Sequence, residues 1–367
     1  MNLRRPTPPG GGLVPLRSLV RGSRSVLGNL TTVWDGKPRS PAPSFISWVL
    51  TERCPLGCEH CDMGQPRGEL GRIERADLAE RIGRSDVWAV SLVGGEVSIL
   101  PDLADLAAIL KRHGKFVSIA TSGLALARHL PKLLDAGIDS LVLSVDHSDA
   151  AAHDRFRGVP GLHARVEAAI AQVLARRTAG RPRIGLRYVV HRGNVNDTAI
   201  FVERWHGKVE QIVLQIVQDN GQHRVRDRSV LFEAEDRPAL EAMLADVGKR
   251  WPDLRTRTFD LMARYTFEAE TLRKDLGFRC LLVPATQLVI LPDGAMRLCY
   301  GRDDSAVGHL RERSFESAWM DARTEAIRRK MQSADYGCMC WEAACAGNLD
   351  LLPAARALDS VRQALGL

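Results

Sequence analysis

Three cysteines lie within eight residues, in the segment Cys54-Pro-Leu-Gly-Cys58-Glu-His-Cys61. Thiolates spaced this closely in one loop can converge on a single metal centre. Four thiolates would complete a zinc site or saturate an iron–sulfur cluster, but no fourth cysteine follows nearby. Three ligands leave one iron of a cluster open to a small molecule. A zinc knuckle with a distant fourth ligand is the alternative.

A second group of cysteines lies late in the chain, and none lies between the two groups. Its members are Cys280, Cys299, Cys338, Cys340 and Cys345. The chain start has no apolar segment typical of a secretory signal, so a disulfide framework is disfavoured. Clustered cysteines in such a chain indicate metal binding or redox chemistry. We therefore expect a second centre here, an iron–sulfur cluster or a zinc ribbon-like site.

Composition excludes several classes of protein. The chain has 51 basic and 44 acidic residues, and the basic ones are spread along it, so we expect no nucleic-acid partner. No apolar run approaches the ~18 residues of a membrane span. We expect a cytoplasmic protein.

Six short apolar runs alternate with helical patterns after residue 46. The predicted strands are 47–51, 87–93, 116–120, 140–145, 184–190 and 211–217. Such runs, separated by helices, are typical of buried parallel strands with right-handed crossovers. A closed TIM barrel needs eight strands, so six indicate an open, partial (β/α)6 barrel of the α/β class.

Helix and turn signals complete the layout. Asp102 is a candidate N-cap, Gly137 a candidate helix-ending glycine, and Phe315–Met331 an amphipathic helix. Pro292-Asp293-Gly294 predicts the turn of a β-hairpin between two apolar runs. We expect an extension, a barrel, a helical linker, a cysteine-bearing hairpin-plus-helix module and a C-terminal helix, over 1–45, 46–235, 236–277, 278–350 and 351–367.

At this point the sequence resembles the radical S-adenosylmethionine (SAM) enzymes. Their hallmark is a Cys-x3-Cys-x2-Cys loop after the first strand of a partial (β/α)6 barrel. Four further motifs match in order, each at or shortly after a predicted strand end: Gly94-Gly95-Glu96, Thr121-Ser122-Gly123, Ser144-Val145-Asp146 and His153-Asp154-Arg155-Phe156-Arg157. Ligands of α/β barrels bind at that end of the strands.

The resemblance implies a cofactor set and roles for particular residues. Cys54, Cys58 and Cys61 would hold a [4Fe–4S] cluster whose open iron binds SAM. Gly94, Gly95 and Glu96 would contact the SAM amino group, and Arg157 its carboxylate. The backbone around His60 would lie along the adenine, and Ser122 and Ser144 would be polar contacts for the ribose or the carboxylate.

The late cysteines resemble the C-terminal extension called SPASM, or its shorter form, twitch. In that family a cysteine before a β-hairpin, another after it and several later ones bind auxiliary [4Fe–4S] clusters. Two clusters need about seven cysteines, so five imply one auxiliary cluster with one spare thiol. Cys280, Cys299 and Cys345 are the expected ligands. Cys338 and Cys340 compete for the remaining place, or both bind and another cysteine is the spare one.

The resemblance implies an enzyme that reductively cleaves SAM to a 5′-deoxyadenosyl radical, which abstracts hydrogen from a substrate. The auxiliary cluster would assist substrate oxidation or binding, and flavodoxin or ferredoxin would supply electrons. Dehydrogenation, epimerisation and bond formation remain open as outcomes, and no catalytic residue is assigned. The non-enzyme alternative is an iron–sulfur electron carrier.

Three substrate classes remain open. About 45 residues precede the first strand, too few for a leader-peptide-binding domain, which favours a small molecule. Peptide or lipid modification, with C–C or C–S bond formation, is the alternative. Apolar residues at helical spacing among Arg17, Arg21 and Arg24 also suggest a membrane-surface contact through residues 13–30, or a strap packed on the barrel.

Overall fold

The protein is described here from a computed structural model. The described residues are 28–29, 32, 36–62, 66, 68–219, 224–255, 257–276 and 279–333. Cys338, Cys340 and Cys345, the predicted C-terminal helix and nearly all of the predicted contact segment 13–30 lie outside the described residues.

Six parallel strands form the barrel wall, and all six sequence predictions are confirmed to within two residues. They are β1 (Phe45–Thr51), β2 (Ala89–Gly94), β3 (Phe116–Thr121), β4 (Ser140–Ser144), β5 (Arg183–Val190) and β6 (Gln211–Ile216). Their order is sequential, β6-β5-β4-β3-β2-β1, and every neighbouring pair is parallel. The predicted α/β fold, a partial TIM-type barrel, is therefore correct.

Helices connect the six barrel strands, and further helices follow β6. They are α1 (Arg72–Arg84), α2 (Leu103–Arg112), α3 (Leu130–Ala136), α4 (Ala150–Arg157), α5 (Leu162–Arg176), α6 (Thr198–Trp205), α7 (Arg237–Arg250), α8 (Arg257–Leu276), α9 (Leu282–Thr286), α10 (Phe315–Met320) and α11 (Ala322–Met331). Gly137 ends α3 with φ +72°, the left-handed conformation that the sequence predicts there. Among the described residues, no helix combines the length and apolarity that a membrane crossing requires.

Two local predictions are wrong. Asp102 precedes α2 but makes no side-chain cap; instead its two oxygens accept from Nε and Nη2 of Arg75 at 2.8 and 2.9 Å. A bidentate, charge-assisted ion pair is stronger than a single helix-capping hydrogen bond, so the carboxylate of Asp102 pairs with the buried arginine. The segment 315–331 forms two helices because Asp321 leaves the helical conformation and caps α11 through the backbone N of Arg323.

The late hairpin joins the barrel sheet directly. Strand β7 (Gln287–Ile290) pairs in parallel with β1, and β8 (Ala295–Arg297) and β9 (Ala306–His309) follow antiparallel. Gly294, with φ +97°, makes the turn between β7 and β8. The sequence predicts the β7–β8 hairpin, but neither the pairing with β1 nor β9. The strand that leads into the first cysteine loop is thus central in the sheet.

Candidate metal and cofactor site

The first cysteine loop leaves the carboxyl end of β1 and lines a cavity. Cys54, Cys58 and Cys61 all contribute to the walls of this cavity, whose volume is about 390 Å³. Cys58 is buried, and the other two are half-buried. The structure therefore brings together the three thiols that the sequence predicts as ligands of one centre.

Backbone hydrogen bonds hold this loop from two sides. Gly57 N donates to Arg157 O, and Glu59 N donates to Phe156 O, both at 3.0 Å. From the other side Arg226 N donates to Glu59 O at 2.9 Å. The loop backbone that carries the three thiols is thus fixed between the end of α4 and the segment after β6.

Without a bound metal, the surroundings of the three thiols favour their protonated form. Burial raises the pKa of Cys54 and of Cys58, and burial together with the neighbouring cysteines raises the pKa of Cys61 to about 11. Bound iron would supply the positive charge that stabilises the thiolates. Among the described residues no three His, Cys, Asp or Glu side chains close on a single ion. Three soft sulfur donors around a cavity of about 390 Å³ fit an iron–sulfur cluster.

Gly94 and Gly95 allow the backbone at the end of β2 to pack closely against the start of the cysteine loop. A Cβ on Gly94 would lie 2.3 Å from Thr51 O, and one on Gly95 would lie 2.5 Å from Arg53 O. Gly94 also has φ +153°. Both positions therefore require glycine, and the close approach they allow here is to the protein's own backbone.

Glu96 is fully buried and joins the ends of β2 and β3. Its carboxylate accepts from Ser98 N at 2.9 Å, from Ser122 N at 2.8 Å and from the hydroxyls of Thr121 and Ser122. The structure thus brings together Glu96 and Ser122, two predicted cofactor contacts. In this arrangement the carboxylate organises two neighbouring motif loops.

Arg157 lies beneath the loop in a buried ion pair. Its Nε donates to Oδ2 of Asp146 at 2.5 Å, and its Nη1 lies 3.7 Å from Cys58 Sγ. Burial acts to raise the pKa of Asp146, but the charge of Arg157 outweighs it and lowers that pKa to about 2. The guanidinium predicted to bind a SAM carboxylate is therefore engaged with Asp146 and Cys58.

His60 begins a column of stacked rings. Its ring lies 4.9 Å from that of Phe156, which in turn stacks on His191 at 4.2 Å. His147 meets both Phe156 and His191 edge-on. Sequence reasoning missed His147 and His191, although each closely follows a strand, the signal used for the other site residues. Ser144 is the half-buried last residue of β4 and pairs in register with Arg187.

Two predicted ligands of the second centre lie among the described residues. Cys280 is buried just before α9, and its N donates to Met331 O at 3.2 Å. Cys299 follows β8 and is half-buried, and its N donates to Ser305 Oγ at 3.1 Å. They flank β7 and β8 as the sequence predicts, and neither forms a disulfide with another described cysteine.

Two arginines on the wall of the first cavity were not predicted. Arg53 donates to both oxygens of Glu69 at 2.9 and 2.8 Å. Arg226 reaches the cavity from the segment after β6. No local pattern connects Arg226 with the cysteines, because only the fold brings these distant segments together.

Family profiles match both parts of the chain. The profile of the Radical SAM superfamily matches residues 48–200, and that of SPASM, an iron–sulfur cluster-binding domain, matches residues 280–346. These domains imply a [4Fe–4S] cluster with SAM and an auxiliary iron–sulfur centre, respectively.

Individual proteins show the same relationship. The chain is 35% identical over 134 residues to an AdoMet-dependent heme synthase of Methanosarcina barkeri (35% of this chain) and 32% identical over 171 residues to a PqqA peptide cyclase of Streptomyces rochei (45% of this chain). It matches less than half of these relatives' length, 38% and 46%. Streptococcus suis SuiB bound to precursor peptide SuiA has the same fold, with a TM-score of 0.60 at 14% identity over 89% of this chain and 75% of SuiB. With its cysteine loop, barrel and hairpin, the chain belongs to the Radical SAM superfamily and carries a SPASM domain.

Proposed function

We propose that the protein is a radical SAM enzyme that removes a hydrogen atom from its substrate. The observation that carries this proposal is the convergence of Cys54, Cys58 and Cys61 on one cavity at the carboxyl end of β1. When bound, a reduced cluster and SAM supply one-electron reductive cleavage, which permits hydrogen abstraction from an unactivated carbon.

The chain's own residues hold and shield these groups. The three thiolates would bind the cluster, while the backbone bonds of Gly57 and Glu59 keep the loop in place. Glu96 and Ser122 fix the motif loops on which SAM would rest, and the backbone around His60 would lie along the adenine. Gly94, Gly95 and Ser144 are further proposed contacts at the strand ends. Their combined role is orientation and exclusion of water.

For the substrate we propose a peptide. A PqqA peptide cyclase is among the relatives, and the structurally similar SuiB has a precursor peptide bound. Because a heme synthase is also among the relatives, a small molecule is the second candidate substrate. In either case the SPASM cluster would accept the electron released when the substrate radical is oxidised, and a flavodoxin or ferredoxin would reduce the first cluster.

The activity is tested by anaerobic reconstitution and assay of methionine and 5′-deoxyadenosine with dithionite. Two [4Fe–4S] clusters correspond to about eight iron atoms per chain. Replacing Cys54, Cys58 and Cys61 by Ala should leave about four and abolish SAM cleavage. The retained auxiliary cluster is the internal control for folding. Wild-type protein with both clusters but no SAM cleavage would refute the proposal.

The peptide substrate is tested separately, by co-expression with short peptides encoded beside the gene and mass spectrometry of those peptides. A peptide that loses hydrogen or gains a crosslink only with wild-type protein supports the proposal. Unmodified peptides, together with continued SAM cleavage, would instead favour the small-molecule candidate.

A further inference from the structure

Three arginines are buried among the described residues, and one of them has no carboxylate partner there. Arg75 is paired with Asp102. Arg157 is paired with Asp146. Arg328 is completely buried, and within the part of the chain that the structure describes its hydrogen bonds go to carbonyl groups and not to an acid. Because a charge buried without a counter-charge is costly, an anion is expected to bind close to this side chain.

The contacts of Arg328 leave part of its guanidinium unused. Its Nε donates to Pro284 O at 3.0 Å, and its Nη2 donates to Trp319 O at 2.7 Å. The guanidinium carbon also lies over the Trp319 ring, 4.0 Å from the ring centroid. The third nitrogen, Nη1, is buried and has no hydrogen-bond partner. The side chain is therefore held in position while one of its donor groups remains free.

The guanidinium keeps its positive charge in this position. Burial lowers the pKa of Arg328 to about 9, and the charge of Glu325 offsets this effect only in part. Glu325 is itself paired with Arg329, which is exposed on the same helix, α11. With a pKa of about 9, Arg328 remains protonated near neutral pH. The structure thus contains a charged, buried group that still needs a counter-charge.

Arg328 and the predicted cluster ligand Cys280 are both attached to the end of α11. Cys280 N donates to Met331 O at 3.2 Å, and Gln332 Nε2 donates to Leu281 O at 3.4 Å. Residues three and four apart lie on one face of a helix, so positions 328, 331 and 332 face the same neighbours. The arginine therefore bonds to α9, the helix that begins two residues after Cys280.

We propose that Arg328 is the positive counter-charge of the auxiliary iron–sulfur cluster and makes that cluster easier to reduce. With four thiolate ligands a [4Fe–4S] cluster is a net anion, and its potential depends on the charges and hydrogen bonds around it. A cation in a dry interior stabilises the extra negative charge of the reduced form, because Coulomb interactions are strong where water is excluded.

This inference rests on the proposed function in one respect, the assignment of Cys280 as a ligand of the auxiliary cluster. It also deepens that function. When the substrate radical is oxidised, one electron would pass to the auxiliary cluster, and a nearby cation favours this direction of transfer. Substitution of Arg328 should therefore change the potential of the auxiliary cluster and leave SAM cleavage at the first cluster intact.

The test uses the full-length chain with Cys54, Cys58 and Cys61 replaced by Ala, so that the auxiliary cluster is studied alone. After anaerobic reconstitution iron is counted, and the cluster is titrated with dithionite and redox mediators under EPR spectroscopy. For Arg328→Gln we expect the ratio of reduced to oxidised cluster at a fixed potential to fall about tenfold, which lowers the midpoint potential by about 59 mV. Arg328→Lys keeps the charge and should change this ratio by less than about threefold.

Arg329→Gln is the matched control. It removes the same charge from the next residue of α11, but this arginine is exposed and paired with Glu325, so the potential should match that of the parent protein. The apoprotein of Arg328→Gln should unfold at the same urea concentration as the parent or at a higher one, because a buried charge without a counter-charge does not stabilise the fold.

Three results would each overturn the inference: an unchanged potential in Arg328→Gln, equal shifts in Arg328→Gln and Arg328→Lys, or a less stable apoprotein of Arg328→Gln. The last two would show that the arginine is needed for its hydrogen bonds and packing. A parent protein that binds no iron would also overturn it, together with the assignment of the late cysteines. Loss of SAM cleavage in the wild type, with both clusters present, would instead refute the proposed activity alone.

Discussion

Glu96, at the end of β2, accepts two hydrogen bonds from Ser122, one from its backbone N at 2.8 Å and one from its hydroxyl. Two sequence motifs from neighbouring strands are therefore one structural unit. The carboxylate is fully buried, so its bonds to Thr121 and Ser98 complete its coordination by protein donors. A substitution at Glu96 should disturb both strand ends together.

Replacing Glu96 by Gln tests this unit. The amide keeps the shape of the side chain but places an NH2 group opposite donors, so at least one buried donor loses its acceptor. Such a loss costs about 1–3 kcal/mol of unfolding free energy. Urea unfolding of the apoprotein measures it. Glu241→Gln, on the exposed face of α7, is the control and should leave the midpoint unchanged. Equal stability of Glu96→Gln and wild type would contradict the structure of this site.

Asp146→Asn should be more damaging, because it leaves Arg157 buried without an anion. Breaking a buried ion pair costs about 3–5 kcal/mol. Since the pKa of Asp146 is lowered to about 2, its stabilising effect is complete above the unfolded value of 3.8 and is lost as the pH falls toward 2. The difference in unfolding free energy between wild type and Asp146→Asn should therefore become smaller from pH 5 to pH 3. A gap that is constant over this range would show that the pair is not ionised as described.

Gly95→Ala tests the contact between β2 and the cysteine loop. The added Cβ would lie 2.5 Å from Arg53 O, so the backbone that leads to Cys54 must move. We expect less iron in the first centre and weaker SAM binding, measured after reconstitution. Gly185→Ala in β5 is the control, because its Cβ would meet only side-chain atoms at 3.4 Å or more. If both variants take up iron and bind SAM like the wild type, the loop does not depend on this contact.

The sequence predicts the barrel well for a simple physical reason. Buried parallel strands such as Leu141–Leu143 are continuous apolar runs, and the predicted site residues follow the carboxyl ends of these strands. The contacts between distant segments are not encoded in such local patterns. Arg226 meets Glu59, and β7 pairs with β1, only after the chain has folded. Asp102 is a further example. Its local pattern predicts a helix cap, but in the folded chain its carboxylate forms an ion pair with Arg75 from another helix.

Because His153 is buried, the stability of the folded protein should fall measurably in acid. Its Nδ1 accepts from Asp146 N at 3.2 Å, and burial lowers its pKa to about 4. The unfolded chain takes up the proton near pH 6.5, so the folded state is fully favoured above that value and loses stability as the pH falls toward 4. In His153→Asn the apoprotein should lose less stability between pH 7 and pH 4.5. The difference is at most about 1.4 kcal/mol per pH unit. His206→Asn controls for the substitution itself, and a wild-type slope in His153→Asn would contradict the prediction.

The last prediction concerns the five late cysteines, which outnumber the four irons of one auxiliary cluster. A serine hydroxyl is a poor iron ligand, so Ser at Cys280 or Cys299 should remove or degrade that cluster. Hydrogen bonds to Met331 O and Ser305 Oγ hold the two backbones and do not depend on the thiols. The same is expected of Cys345, whereas one of Cys338 and Cys340 should be dispensable. SAM cleavage should survive all five substitutions, because the first cluster has its own ligands. Formation of the final product should stop whenever the auxiliary cluster is lost, if that cluster accepts the substrate electron. Iron counting and Mössbauer spectroscopy on the five single Ser variants provide the measurement. Zinc in place of iron at this centre, or full product formation by Cys280→Ser, would rule this assignment out.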